Sequence, residues 1–245
     1  MERKTHILAF PYPVQGHINP MLQFSKRLAS KGLGVTVITT TSISKSMQAL
    51  QESSLNFVTI SDGSKQGDKE TMDEELERFK LFVSESLAEL IERQKSSQHP
   101  PKLLVYDSCM PYALNVARQL GVDGAPFFTQ SCAVNVIYHH AYANQGVFLQ
   151  TPSASLPSMP SLGVNDVPSF LNDTAPYSSL LKFVFNQYSN FHEANWIFCN
   201  TFDKLEHEVG RYIYTYTYTH IDTLYFILFL GCFSTLLLFF LNFIR

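Results

Sequence analysis

"THILAFPYPVQGHINPMLQFSKRLASKGLGVTVITT" runs from Thr5 to Thr40 and decides the fold class. Ile7 to Phe10 is a short apolar run of the buried-strand type, followed by a Pro/Gly loop. Asn19-Pro20 then reads as a helix N-cap with proline at the first helical position, and the helix runs to about Ser30. Met21, Phe24 and Leu28 fall on one face of it, and Lys31-Gly32 stops it. Val35 to Thr40 is rich in β-branched residues and reads as a second strand. The stretch is one βαβ unit.

Reading outward, the alternation continues. Phe57 to Ile60 is strand-like. Thr71-Met72-Asp73-Glu74 has the form of a capping box, and Leu76, Phe79, Val83, Leu87, Leu90 and Ile91 recur behind it at helical spacing. The acidic cluster Asp73-Glu74-Glu75 complements that helix's N-terminus. Leu103 to Tyr106 predicts a strand, Pro111 to Leu120 a helix and Pro126 to Thr129 a further strand. Thr151 to Pro176, dense in proline and serine, reads as a long surface loop. A helix over Ser178 to Glu193 and a strand over Trp196 to Asn200 resume the pattern. Strands alternating with helices imply an α/β protein with a single Rossmann-like, doubly wound parallel sheet.

With 245 residues, 45% hydrophobic and 16% charged, the chain is globular in composition. Its net charge of -3 and the lack of any Lys/Arg-rich run exclude the footprint of a nucleic-acid binder. Cys109, Cys132, Cys199 and Cys232 are scattered, with no C-x-x-C pair, and read as free thiols of a reducing, cytoplasmic compartment. The N-terminal charges are followed by an apolar run that Pro11 and Pro13 break, so no secretory signal is expected.

Open α/β sheets bind ligands beyond the carboxyl ends of their strands. Two residues stand there: His17, after the first strand, and Asp107, after the strand at Leu103. A carboxylate on one ring nitrogen would fix the imidazole tautomer and support its charged form, making a general base. The same residues also suit plainer roles, His17 satisfying loop backbone and Asp107 capping a helix. The sequence contains no G-x-G-x-x-G, no G-x-x-x-x-G-K-[ST], no G-x-S-x-G and no D-x-D, so the fingerprints of dinucleotide, nucleoside-triphosphate, α/β-hydrolase and metal-dependent sugar-nucleotide sites are missing. His139-His140 point about 100° apart on a helix and are expected to be helix-face residues rather than metal ligands. No metal and no cofactor are expected.

"HILAFPYPVQGHINPMLQFSKRLASKG", "LLVYDSCMPYALNVARQLGV" and "APFFTQSCAVNVIYHH" together resemble the N-terminal half of plant family-1 UDP-glycosyltransferases, in wording nearest the salicylate and thiohydroximate glucosyltransferases. "SLPSMPSLGVNDVPSFL" is similar to that family's proline-rich acceptor-side loop, and "ANWIFCNTFDKLEHEV" to its closing helix and strand. The likeness runs from about Thr5 to Val209. It implies the N-terminal half of a GT-B fold, with residues 1–209 as an acceptor-binding domain. It implies His17 as the base that deprotonates a small hydroxyl or thiol acceptor, or that positions a carboxyl acceptor already ionised at neutral pH, Asp107 as its orienting partner, and inversion at the sugar without a metal. Thr129 occupies the position that touches the donor sugar in relatives, or is a plain strand-end residue. Gly16 lets backbone approach a ligand, or is a simple turn glycine. UDP-sugar would be the co-substrate, yet the family's Trp-led donor box with its H-C-G-W-N-S segment does not occur here, so the chain alone is expected to be inactive.

Residues 210–245 are expected to be an atypical tail. Leu224 to Ile244 carries no charge and, as a helix, is long enough to cross about 30 Å of hydrocarbon. A membrane tail anchor holding a non-catalytic acceptor-binding protein is therefore the alternative to a truncated gene product. The preceding "YIYTYTYTH" favours the latter, because TA-rich non-coding DNA translates into such a run.

Overall fold

The computed structural model describes residues 5–48, 55–64, 70–144, 156, 158–172, 177–202, 204–211 and 227–229. In it the first apolar run becomes the central strand, β1 (His6–Phe10), buried along its whole length. Its side chains alternate between two cores. Ile7 and Ala9 enter one cluster with Met21, Phe24 and Leu28, while Leu8 and Phe10 enter a second with Phe79, Val83, Leu87 and Leu90. A strand apolar on both faces must be covered on both, which only helix crossovers accomplish.

β2 (Gly34–Thr40), β3 (Asn56–Ile60), β4 (Pro101–Asp107), β5 (Asp123–Phe128), β6 (Ile197–Cys199) and β7 (Ile227–Phe229) complete a sheet ordered β3-β2-β1-β4-β5-β6-β7. Every pairing is parallel. α1 (Gln15–Ser30) covers one face, with Phe24 stacked on Phe127. α2 (Ser44–Gln48) is a short link. α3 (Met72–Lys95) and α4 (Tyr112–Gln119) cover the other face. α3 opens with the capping box: Thr71 Oγ1 accepts from the Glu74 amide, and the Thr71 amide donates to the Glu74 carboxylate at 2.8 Å. Where α4 crosses β5, a Cβ on Gly124 would lie 2.3 Å from the buried Leu114 side chain, which would have to shift to admit any larger residue.

α5 (Cys132–Ala143), α6 (Ser169–Asn172), α7 (Ser178–Asn186) and α8 (204–211) build the far side. The helix expected over 178–193 ends at Asn186 and gives way to a 3-10 turn at Phe191–Glu193. α8 runs through the domain boundary expected at residue 209.

Three expectations change. α1 begins at Gln15, not after Asn19: Val14 is its N-cap, and the amides of His17 and Ile18 both reach the Val14 carbonyl, at 2.9 and 3.0 Å. Pro20 is tolerated inside the helix because it forfeits a single bond, to the carbonyl four residues back at Gly16. His17 is thereby held in a helical turn rather than a loop. Second, the proline-rich stretch is no mere surface loop, since Leu156, Leu162, Val167 and Leu171 are buried against Val136, Ile137 and Ala141 of α5. Prolines stop regular structure without stopping burial.

Third, the membrane helix expected over 224–244 lies outside the described residues except at Ile227–Phe229, and these form a strand, registered Ile197↔Ile227 on β6. No helix among the described residues is long and apolar enough to cross a membrane. A short uncharged run suits strand and helix alike, and the open edge of β6 offers unpaired amides and carbonyls to a strand.

Candidate active site

The strand order reverses between β1 and β4, since the chain runs outward from β1 through β2 to β3 and then returns to β4 on β1's other side. Crevices at such switch points are where open parallel sheets bind ligands. His17 stands above β1 in the first turn of α1, and Asp107 is the last residue of β4. The structure brings them together: His17 Nδ1 lies 2.8 Å from Asp107 Oδ2. Asp107 is completely buried, whereas His17 keeps one-fifth of its side chain exposed.

A carboxylate can only accept, so His17 Nδ1 carries the hydrogen and Nε2 holds a lone pair. Asp107 is held in turn. Its Oδ1 accepts from the Cys109 amide at 3.1 Å, and its backbone carbonyl accepts from the Met110 amide at 2.8 Å. Burial pulls the His17 pKa down, but the hydrogen bond to Asp107 and that residue's charge outweigh it, so the net shift is upward from the ordinary histidine value. The arrangement supplies a neutral imidazole that takes a proton readily at Nε2.

Thr129, just past β5, is the third member: its Oγ1 lies 3.3 Å from His17 Nδ1, and its carbonyl accepts from Asn200 Nδ2 at 3.0 Å. Gly16 sits one residue before His17, and a Cβ built there would meet nothing within 4 Å. The chain's own packing therefore does not require glycine at that point. His139 and His140 are not members of this cluster; burial lowers both, His139 to about 4, among the rings of Tyr188 and Phe191.

Cys109 was not singled out in the sequence, yet its thiol, a His17 ring nitrogen and an Asp107 oxygen lie within 4.8 Å of one another. Burial, followed by the Asp107 charge and a hydrogen bond to it, pushes the thiol well above its usual value. A protonated thiol and an Nδ1–H that both address one carboxylate form a closed hydrogen-bonded set, whereas a metal would need those atoms deprotonated and a fourth donor. Cys132 and Cys199 are also buried free thiols, and Cys232 lies outside the described residues.

Tyr12 was likewise missed. Its ring meets His17 edge-on at 5.7 Å and also touches Phe79 and Phe183. Burial, with the nearby Cys109, Glu75 and Asp107, pushes its hydroxyl up to about 12. Beside it opens a cleft of about 440 Å³ between α3 and α7, with Cys109 and Tyr112 also in its lining. An aromatic immediately after the first strand was the available signal.

Residues 3–60 match the protein family described as "Glycosyltransferase, N-terminal domain". Mogroside I-E synthase of Siraitia grosvenorii is 44% identical over 215 residues, which are 86% of this chain and 47% of that protein. The flavonol 7-O-beta-glucosyltransferase of Arabidopsis thaliana is 40% identical over 206 residues, covering 82% of this chain and 44% of the relative. Among solved structures, Os79 from O. sativa in complex with UDP superimposes with a TM-score of 0.74 at 28% identity, over 86% of this chain and 49% of that one. A second structure of Os79, holding U2F and a trichothecene, gives 0.73. The chain spans about half the length of the curated relatives it matches. Its sheet and helices are those of the N-terminal half of a GT-B glycosyltransferase.

Proposed function

We propose, from the premise that these residues form the N-terminal domain of a plant family-1 UDP-glycosyltransferase, that the chain binds a small acceptor and carries the general base for sugar transfer from a UDP-sugar. The observation that carries this reading is the ion pair of His17 with the buried Asp107 at the sheet's switch point, 2.8 Å long. His17 Nε2 removes the proton from an acceptor hydroxyl or thiol. The freed oxygen or sulfur attacks the anomeric carbon, UDP departs from the opposite side, and the sugar is transferred with inversion. Asp107 holds the ring and stabilises the imidazolium, a form of base catalysis worth about 10²- to 10⁴-fold.

Gly16 leaves room for the bound substrates beside His17, and Thr129 extends the rim on the other side. No step calls for a metal or a resident cofactor. The narrower resemblance to salicylate and thiohydroximate glucosyltransferases supplies an acceptor class, a small hydroxyl, thiol or carboxyl compound. Contacts to uridine and diphosphate belong to a second domain, as does closure that excludes water from the reaction. The 245 residues by themselves are accordingly expected to transfer sugar negligibly.

The test joins this chain to the second half of a relative such as mogroside I-E synthase and follows UDP release and product stereochemistry with a phenolic acceptor. Turnover with inversion is expected from the joined protein. Robust turnover by the 245 residues alone would refute the need for a second domain, and an active joined protein indifferent to His17→Ala would refute the base. Acceptor binding without turnover in the joined protein would leave an acceptor-binding role in place of catalysis.

A further inference from the structure

The cleft beside the base contains a group that the proposed chemistry does not use. Tyr112, at the start of α4, lines it together with Tyr12, Phe79 and Phe183, and its hydroxyl is buried with no hydrogen-bond partner among the described residues. Buried hydroxyls are nearly always satisfied, and one left open beside a cavity points to a partner that arrives with a ligand. Burial first, then the neighbouring Tyr12, Cys109 and Asp107, hold this phenol well above its ordinary pKa, so it stays neutral and able both to donate and to accept.

The charges around the cleft are already matched. Lys80 Nζ lies 3.2 Å from Glu77, and Lys182 Nζ lies 3.9 Å from Asp73. These four are exposed, and half of the remaining lining is aromatic, with Ser179 and Asn186 adding neutral polar groups. No lining cation is left without a carboxylate beside it, and the negative charge of Asp107 acts on the Tyr112 phenol. An anionic group drawn into this end would lose its water and meet no counter-charge.

We propose that Tyr112 is a specificity residue of the acceptor site, selecting ring-bodied acceptors that carry a second, neutral oxygen over those that carry a carboxylate at that place. The proposal rests on the reading of this cleft as the acceptor site. The aromatic walls take the apolar body, the first hydroxyl faces His17, and the second oxygen completes the Tyr112 hydroxyl.

Three probes with one body separate the terms: 4-phenylphenol, 4,4′-dihydroxybiphenyl and 4′-hydroxybiphenyl-4-carboxylate, each titrated into the 245-residue chain by calorimetry. The diol is expected to bind about tenfold tighter than the mono-ol, the scale of one hydrogen bond to a buried partner, with the carboxylate weakest. In Tyr112→Phe the diol advantage should collapse to about onefold, while mono-ol affinity is retained. A carboxylate that binds tighter than the diol, or a diol advantage that survives Tyr112→Phe, overturns the assignment. Should Tyr112→Phe fail to fold, the ranking of the three probes on the unsubstituted chain still decides. Mono-ol binding that Tyr12→Ala fails to weaken places the probe outside the cleft, and binding of no probe removes the site altogether. Either result overturns the acceptor-site reading itself along with the assignment.

Discussion

One histidine opens β1 and another stands in the helix that follows it, and the two have opposite fates. His6 opens the strand on the side away from the site, with Nδ1 2.9 Å from the His99 carbonyl and Nε2 2.9 Å from Thr36 Oγ1. His17 follows the other end. Both rings carry their hydrogen on Nδ1, because in each case that nitrogen faces an oxygen able only to accept. They differ in what remains. His6 has Nε2 filled by a hydroxyl, and burial lowers its pKa despite the hydrogen bond to the His99 carbonyl. His17 accepts no hydrogen bond at Nε2 among the described residues, and its charge is compensated by a carboxylate. A buried imidazole becomes a tie when both nitrogens are used, and a base when one is held by an anion and the other is left open.

Breaking each member tests this distinction. The largest effect is expected from His17→Ala, which should lower turnover of the joined enzyme about 10²- to 10⁴-fold and, by leaving the buried Asp107 carboxylate without its partner, should also lower the melting temperature. Next comes Asp107→Asn. Without the carboxylate, burial is the influence that remains on His17, so its pKa should move from above to below the ordinary value, as followed by NMR titration of the ring protons in the 245-residue chain. A pKa that stays raised would show that another group supports the charge.

His6→Ala is expected to affect stability alone: turnover intact, but stability lower by about 2 kcal/mol, because two hydrogen bonds are lost and the Thr36 hydroxyl is left buried. For a chain of this size that is a fall of roughly 4–8 °C in melting temperature. The two histidines also pull stability in opposite directions with pH. His17, raised in the folded state, contributes stability that is complete below the unfolded value near 6.5 and is lost as pH rises through its folded pKa. His6, lowered on folding, weakens the fold as pH drops from 6.5 toward its folded pKa. Denaturation series at several pH values should therefore show the acid-side loss reduced in His6→Ala, with the share of His139 and His140 remaining, and the alkaline-side loss reduced in His17→Ala. Smallest of all, Thr129→Val is expected to change turnover by no more than a few-fold, since its hydroxyl stands 3.3 Å from a nitrogen already served by Asp107.

Much of this was legible in the sequence because buried parallel strands leave plain apolar runs: β1, β2, β4 and β5 all fall where the alternation of strand and helix predicts them. His17 and Asp107 were found by asking what stands past the strand ends, a question that topology answers without side-chain detail. The start of α1 was misread because proline marks helix beginnings only statistically, and Val14 begins this one with no side-chain cap. Tyr12, Cys109 and Tyr112 escaped notice because their importance comes from burial and from one another, neither of which has a period. The leucines of the proline-rich stretch were hidden for the same reason.

Glu206 reaches back from α8 to the start of α5, where its carboxylate accepts from the amides of Cys132 at 2.9 Å and Ala133 at 2.8 Å and also receives the Thr201 hydroxyl. A helix begins with bare N–H groups that something must satisfy. Ser131 meets the Val134 amide from within the turn, while the Cys132 amide depends on an acid 74 positions downstream. During synthesis on the ribosome, α5 and the Thr129 corner that precedes it would emerge long before Glu206 leaves the exit tunnel. The order of translation therefore makes this side of the crevice the last to set.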